Sequence, residues 1–201
     1  MRSLLLDTSN SFINIYVVEN NEILVEEHIK VLKDMSNIIM PKIRELFDRL
    51  DFDIKDVDKL FVTIGPGSFT GVRIGITVIK TIGYSLNIPI CPISTLEYLA
   101  SISTDEKRIL SIIDARRGNV FAGYYDNNLD RIKEEELISY EDINKNNYDI
   151  VVSYDGVYNS NVINVDILKL INKHLNDKSI NPHSLVPNYL KKTEAEEKLN
   201  D

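Results

Sequence analysis

The feature that most restricts the fold is an internal repeat. Laying Asp114 on Asp7 sets Ser3-Leu4-Leu5-Leu6-Asp7 over Leu110-Ser111-Ile112-Ile113-Asp114. The same offset sets Tyr16-Val17-Val18-Glu19-Asn20-Asn21 over Gly123-Tyr124-Tyr125-Asp126-Asn127-Asn128 without a gap. Each copy reads as an apolar strand ending in an aspartate turn, a second strand, an acidic-Asn-Asn turn and a third strand. Two copies of one β-meander, each followed by helices and further strands, predict an α/β chain of two lobes with the same topology. The expected division is 1–103 and 104–201.

In the first copy, strands are expected at 4–7, 12–18 and 23–29. Met35, Ile38, Ile39, Ile43, Leu46, Phe47 and Leu50 recur at helical spacing and predict an amphipathic helix over 35–50. Asp34 or Ser36 is placed to cap it, and Pro41 predicts a bend or a late start. A strand over 59–63 follows, then a helix over 72–86 whose Ile74, Ile76, Val78, Ile79, Ile82 and Leu86 spread around most of its circumference. A helix apolar nearly all round is covered on more than one side. The sheet supplies one cover; the second half of the chain or a partner supplies the other. Ser94 with Glu97 predicts a capping box for a helix through about 102. The second copy is less regular, with strands at 131–138 and 148–154, a helix at 165–175 and a polar end. Asp155-Gly156 is all that stands where the first copy has a glycine-rich loop.

That loop, Gly65-Pro66-Gly67-Ser68-Phe69-Thr70-Gly71-Val72-Arg73-Ile74-Gly75, holds half of the chain's 8 glycines. It fills a strand-to-helix turn. Three readings are open: a tight turn packed on neighbouring backbone, a helix N-terminus holding an anion with Ser68, Thr70 and Arg73, or a backbone surface for a protein partner. It is neither a Walker A loop nor a GxGxxG fingerprint, because the glycines are wrongly spaced and no Gly-Lys-Ser/Thr follows.

Other chemistry is sparse. A net charge of −8 disfavours an autonomous nucleic-acid binder, which carries a basic face. The single cysteine, Cys91, precludes an internal disulfide, fits a reducing cytosol and reads as core. His28, His174 and His183 lack metal-ligand spacing and read as surface or packing residues. The apolar start is cut off by Asp7, too short for a signal segment, and no run reaches membrane-spanning length.

Two lobes, each with an aspartate closing its first strand, resemble the actin-like ASKHA (ribonuclease H-like) architecture. There ATP lies between the lobes, one aspartate organises the metal and glycine-rich loops of the second lobe hold the adenosine. Here Asp7 and Asp114 are present, but Ala115-Arg116-Arg117 follows the second aspartate and only Gly156 lies beyond Gly123. The resemblance therefore implies a degenerate active site. Arg116 and Arg117 are left to meet an acidic partner surface or RNA phosphate, or to stand solvated at a turn.

The glycine loop is also similar to the signature of the TsaB (YeaZ) family. Leu6-Asp7-Thr8-Ser9, Ser94-Thr95-Leu96-Glu97-Tyr98-Leu99-Ala100, Ile113-Asp114-Ala115-Arg116-Arg117-Gly118-Asn119-Val120-Phe121-Ala122-Gly123 and Pro187-Asn188-Tyr189-Leu190 match in order. Met35-Ser36 stands where the family has His-Ser, Lys191 where it has arginine, and the second lobe is short. The resemblance implies a cytoplasmic, non-catalytic scaffold without cofactor or metal. It implies a partnership with TsaD, which transfers threonylcarbamoyl to adenosine beside the anticodon of tRNA, with the ATPase TsaE joining and tRNA met only through the complex. A homodimer is implied when the chain is alone. An ATP-dependent phosphotransferase or glycoprotease-like enzyme of the same fold is the alternative. The expected partner surface lies on the first-lobe helices, at Met35, Ile39, Ile43, Ile76, Val78 and Ile79. Gly65, Gly67, Ser68, Thr70, Gly71 and Arg73 form the candidate anion or partner loop. Asp7, Asp114, Arg116 and Arg117 mark the vestigial nucleotide cleft.

Overall fold

A strand that is apolar at successive positions must be covered on both faces, and the first strands of this chain are. The computed structural model describes residues 1–31, 33–154, 156, 160–162 and 164–190. Its first sheet is built from Arg2–Asp7 (β1), Phe12–Glu19 (β2), Glu22–Lys30 (β3), Lys59–Thr63 (β4) and Ile90–Ile93 (β5), in the order β3-β2-β1-β4-β5. β1, β2 and β3 form an antiparallel meander, while β4 and β5 run parallel to β1. The parallel neighbours require crossovers, supplied by helices Met35–Phe47 (α1) and Phe69–Leu86 (α2).

The second sheet consists of Ile109–Arg116 (β6), Asn119–Tyr125 (β7), Arg131–Ser139 (β8), Ile150–Ser153 (β9) and Asn161–Val162 (β10). Its order is β10-β9-β6-β7-β8, the first sheet's order repeated. The ungapped register of the repeat does not carry through, however. Asp7 pairs with Asn14, whereas Asp114 pairs with Val120, one residue nearer, and a bulge between Asp114 and Arg116 absorbs the slip. Such a slip would otherwise turn every following side chain to the wrong face.

Alternation along β1 and β4 divides the core. Leu4, Leu6, Leu60 and Val62 face α1 and α2, in a cluster with Ile39, Ile43, Ile76 and Ile79. Leu5 and Phe61 face the other way, into a cluster shared by both lobes. At its centre lies Thr95–Ala100 (α3), all six residues buried, packed against β6, β7 and β9. Ile167–His174 (α4) closes this cluster with Ile167, Leu170 and Ile171.

Several boundaries differ from the sequence expectation. α1 begins at Met35 and continues through Pro41, and Asp34 at its start makes no side-chain cap. α2 begins at Phe69, three residues early, because the Ser68 hydroxyl caps it by accepting the Gly71 N–H at 3.2 Å. Ser94 caps α3 through Leu96 N–H, but Glu97 reaches His174 instead of closing a capping box. Asp155 and Lys191 lie outside the described residues. No helix among the described residues is long and apolar enough to cross a membrane.

Candidate functional site at the interlobe cleft

The glycine loop is shaped by what lies beneath it. β1 ends at Asp7, and the turn Thr8-Ser9-Asn10 runs directly under the start of α2. Ser68 N–H donates to the Ser9 carbonyl at 2.7 Å, and the Thr8 hydroxyl donates to the Gly71 carbonyl at 2.8 Å. A Cβ on Gly67 would lie 2.4 Å from the Ser9 carbonyl oxygen, and one on Gly71 would lie 2.1 Å from that of Thr8. Backbone cannot yield at such distances. Of the three readings the sequence left open, close packing on neighbouring backbone accounts for these glycines, and the Ser68 oxygen is spent as a cap.

Asp7 is fully buried and closely bonded. Its Oδ1 accepts from Ser9 N–H at 3.0 Å, the Ser9 hydroxyl at 2.6 Å and the Thr63 hydroxyl at 2.6 Å. Its Oδ2 accepts from Asn14 Nδ2 at 2.8 Å and the Tyr154 hydroxyl at 3.0 Å. Two carboxylate oxygens offer about four acceptor sites, so five protein donors leave none for a metal. Burial, and then the charge of Asp7, push the Tyr154 phenol well above its ordinary range. Asp114, the counterpart in the repeat, is exposed and accepts the Arg116 N–H at 2.8 Å to form a turn. The residues present do not fit the metal-nucleotide arrangement of the actin-like architecture.

Between the hairpins lies a cleft of about 860 Å³, lined among others by Ser9, Met35, Gly67, Ser68, Thr70, Gly71, Asp114, Arg116 and Tyr154. Gly65, Arg73, Asp7 and Arg117 do not line it. Arg116 and Arg117 take positive φ, 67° and 55°, in the hairpin, a conformation that costs a non-glycine residue roughly 1–2 kcal/mol. Arg73, a candidate for holding an anion or a partner group, bonds within the chain: its Nε donates to the Tyr189 hydroxyl at 2.7 Å and its guanidinium lies 3.8 Å over the Phe69 ring.

The expected partner surface needs correction. Ile39, Ile43, Ile76, Val78 and Ile79 are buried in the first-lobe core, and Met35 is half-buried against it. The buried side chains cannot greet a partner without unfolding the lobe. α2 instead shows one exposed stripe, Phe69, Arg73, Thr77, Thr81 and Tyr84, and α1 exposes Ile38 and Met40. Between the helices runs a groove of about 440 Å³ floored by Ile74 and Val78.

Sequence reasoning missed a second cluster. Lys59 Nζ, buried, donates to the carbonyls of His174, Leu175 and Asp177 at 2.8, 3.0 and 3.0 Å, closing the C-terminus of α4. His174 bonds Glu97 at 2.9 Å and Asp177 at 2.6 Å. Burial pulls its pKa down, but the two carboxylates outweigh that and raise it. Cys91, His174 and Asp177 offer ligand atoms within 4.8 Å of one another. Lys59 and Lys173 already supply the positive charge here, both imidazole nitrogens are bonded, and burial pushes the Cys91 thiol up to about 11. The cluster is a network of hydrogen bonds and ion pairs, buried at Lys59, Glu97 and His174 and open to solvent at Asp177.

A two-lobe fold whose sheets repeat one strand order, with Asp7 closing the first strand and Asp114 near the end of its counterpart, is that of the actin-like ASKHA class. A family model described as "TsaD: tRNA N6-adenosine threonylcarbamoyltransferase" matches residues 29–175. The chain is 40% identical over 126 residues to the tRNA threonylcarbamoyladenosine biosynthesis protein TsaB of Bacillus subtilis (strain 168), covering 62% of this chain and 55% of that one. It is 30% identical over 129 residues to the Escherichia coli (strain K12) protein of the same name, again 62% and 55%. It superposes on YeaZ from Pseudomonas aeruginosa with a TM-score of 0.79 at 22% identity, over 94% of this chain and 99% of that one. The chain belongs to the TsaB/YeaZ family; the sequence matches span about half the length of the curated relatives.

Proposed function

We propose that the chain is the non-catalytic scaffold subunit of a cytoplasmic machine that makes threonylcarbamoyladenosine in tRNA. The observation that carries this is the Asp7 carboxylate, whose acceptor sites are filled by five protein donors. Such a carboxylate takes a metal ligand only by giving up a protein donor. The chain then acts by binding TsaD, with TsaE joining the complex and tRNA reached through it. The exposed side chains of α1 and α2 around the Ile74–Val78 groove form the contact, and two copies share that surface when TsaD is absent. Apolar side chains such as Met40, Phe69 and Tyr84 favour such a role.

The test is reconstitution. The purified chain, with Mg²⁺ and ATP, releases no phosphate. With TsaD, TsaE, tRNA and the threonylcarbamoyl-adenylate donor it restores the modified nucleoside that TsaD and TsaE without it do not make. Metal-dependent ATP turnover by the chain alone would establish the phosphotransferase reading instead.

A further inference from the structure

We propose that the two lobes are locked at a fixed angle by two polar pins at opposite ends of β4, so that the joint does not hinge. At one end, Thr63 bonds Asp7, and Asp7 meets Tyr154, which follows β9 of the second lobe. Its hydroxyl is 3.0 Å from Asp7 Oδ2 and 2.8 Å from Ser9 Oγ. At the other end, Lys59 reaches the carbonyls that close α4. Five residues of strand separate the pins by about 13 Å. The shared apolar cluster lies between them.

Each pin matters because of what it leaves if broken. Apolar contacts tolerate small sliding, since they have no preferred direction. A carboxylate or ammonium buried without its partners does not. Opening the lobes would cost Asp7 the one donor that crosses to it, Tyr154, and would cost Lys59 the three carbonyls it reaches at the end of α4. Tyr154 is the donor that crosses to Asp7 from the second lobe, and its ring sits 6.3 Å from that of Tyr98 on α3, so packing aims the hydroxyl. The lock rests on the poor fit of Asp7 to a metal, not on the partnership with TsaD. Failure of the reconstitution would leave it standing.

Hydrogen–deuterium exchange and small-angle scattering on the full chain, with and without Mg²⁺ and ATP, test this. Wild type keeps the same radius of gyration and the same exchange in both conditions. Tyr154→Phe keeps the ring but loses the hydroxyl, and raises exchange about tenfold over residues 7–12 and 150–154 together, the scale of one bond to a charged group. Ser9→Ala, which opens no cavity, raises the same segments in the same direction. Tyr16→Phe breaks a buried phenol pair with Tyr98 that does not touch Asp7, and leaves both segments at the wild-type rate. Compaction of wild type on adding Mg²⁺ and ATP overturns the proposal. So does wild-type exchange in both Tyr154→Phe and Ser9→Ala.

Discussion

Gly71 measures how little room the interlobe joint leaves. Alanine there puts a methyl against the Thr8 carbonyl oxygen, and overpacking of this kind costs about 1–3 kcal/mol. The expected fall in Tm is roughly 3–10 °C for a chain of this size. Gly118→Ala is the comparison: its φ is +77° but nothing lies within 4 Å, so backbone strain of about 1 kcal/mol is the whole cost. Thermal melts followed by circular dichroism should rank the two in that order. His174 predicts a pH dependence. It faces Glu97 and Asp177, with Lys59, Lys173 and Cys91 around it. Its pKa is raised on folding, so its stabilisation is complete below about pH 6.5, the unfolded value, and is lost as pH rises through the folded one. The urea midpoint of wild type should therefore fall, relative to that of His174→Phe, between mildly acidic and alkaline pH. A constant difference would show that His174 does not gain affinity for its proton on folding. The tight glycine turn and Asp7 were legible along the chain, but their partners were not. Thr63, Tyr154 and Asp7, or Lys59 and His174, are distant in sequence, and no local pattern marks them as neighbours.

α2 shows where periodicity reads true. Ile76, Ile79 and Ile82 are buried in the cluster with the first sheet, and Pro182–Ser184 of the second half packs along the helix, where Lys80 donates to the carbonyls of His183 and Leu185. The exposed face carries Phe69, Arg73 and Tyr84 beside two threonines whose hydroxyls return to the helix's own carbonyls, Thr77 to Arg73 and Thr81 to Thr77. Such back-bonding satisfies the hydroxyls within the helix. Two substitutions should therefore behave differently. Ile79→Lys buries an unpaired charge and should abolish cooperative melting, because the core cannot accept it. Met40→Glu, on the exposed side of α1, should melt within about 0.5 kcal/mol of wild type yet lose association with TsaD and with itself on gel filtration. Retained association by a folded Met40→Glu would move the proposed contact off these helices.

For the molecule as a whole, the repeat was the most legible part. It carried the shared topology of the two sheets, each a meander followed by helices and further strands. What it did not carry was the hairpin slip at Arg116, where a bulge hides one residue. Nor did it carry how the halves meet. α3 follows the last strand of the first lobe, yet its six buried residues seat against strands of the second. Neither half owns that helix. A chain cut between residues 103 and 104 should thus yield two pieces that are each insoluble or unstructured. Mixed, they should recover one sharp melting transition instead of two, as a single structure assembled from two polypeptides. The duplication that wrote the fold twice has left only one unit able to stand.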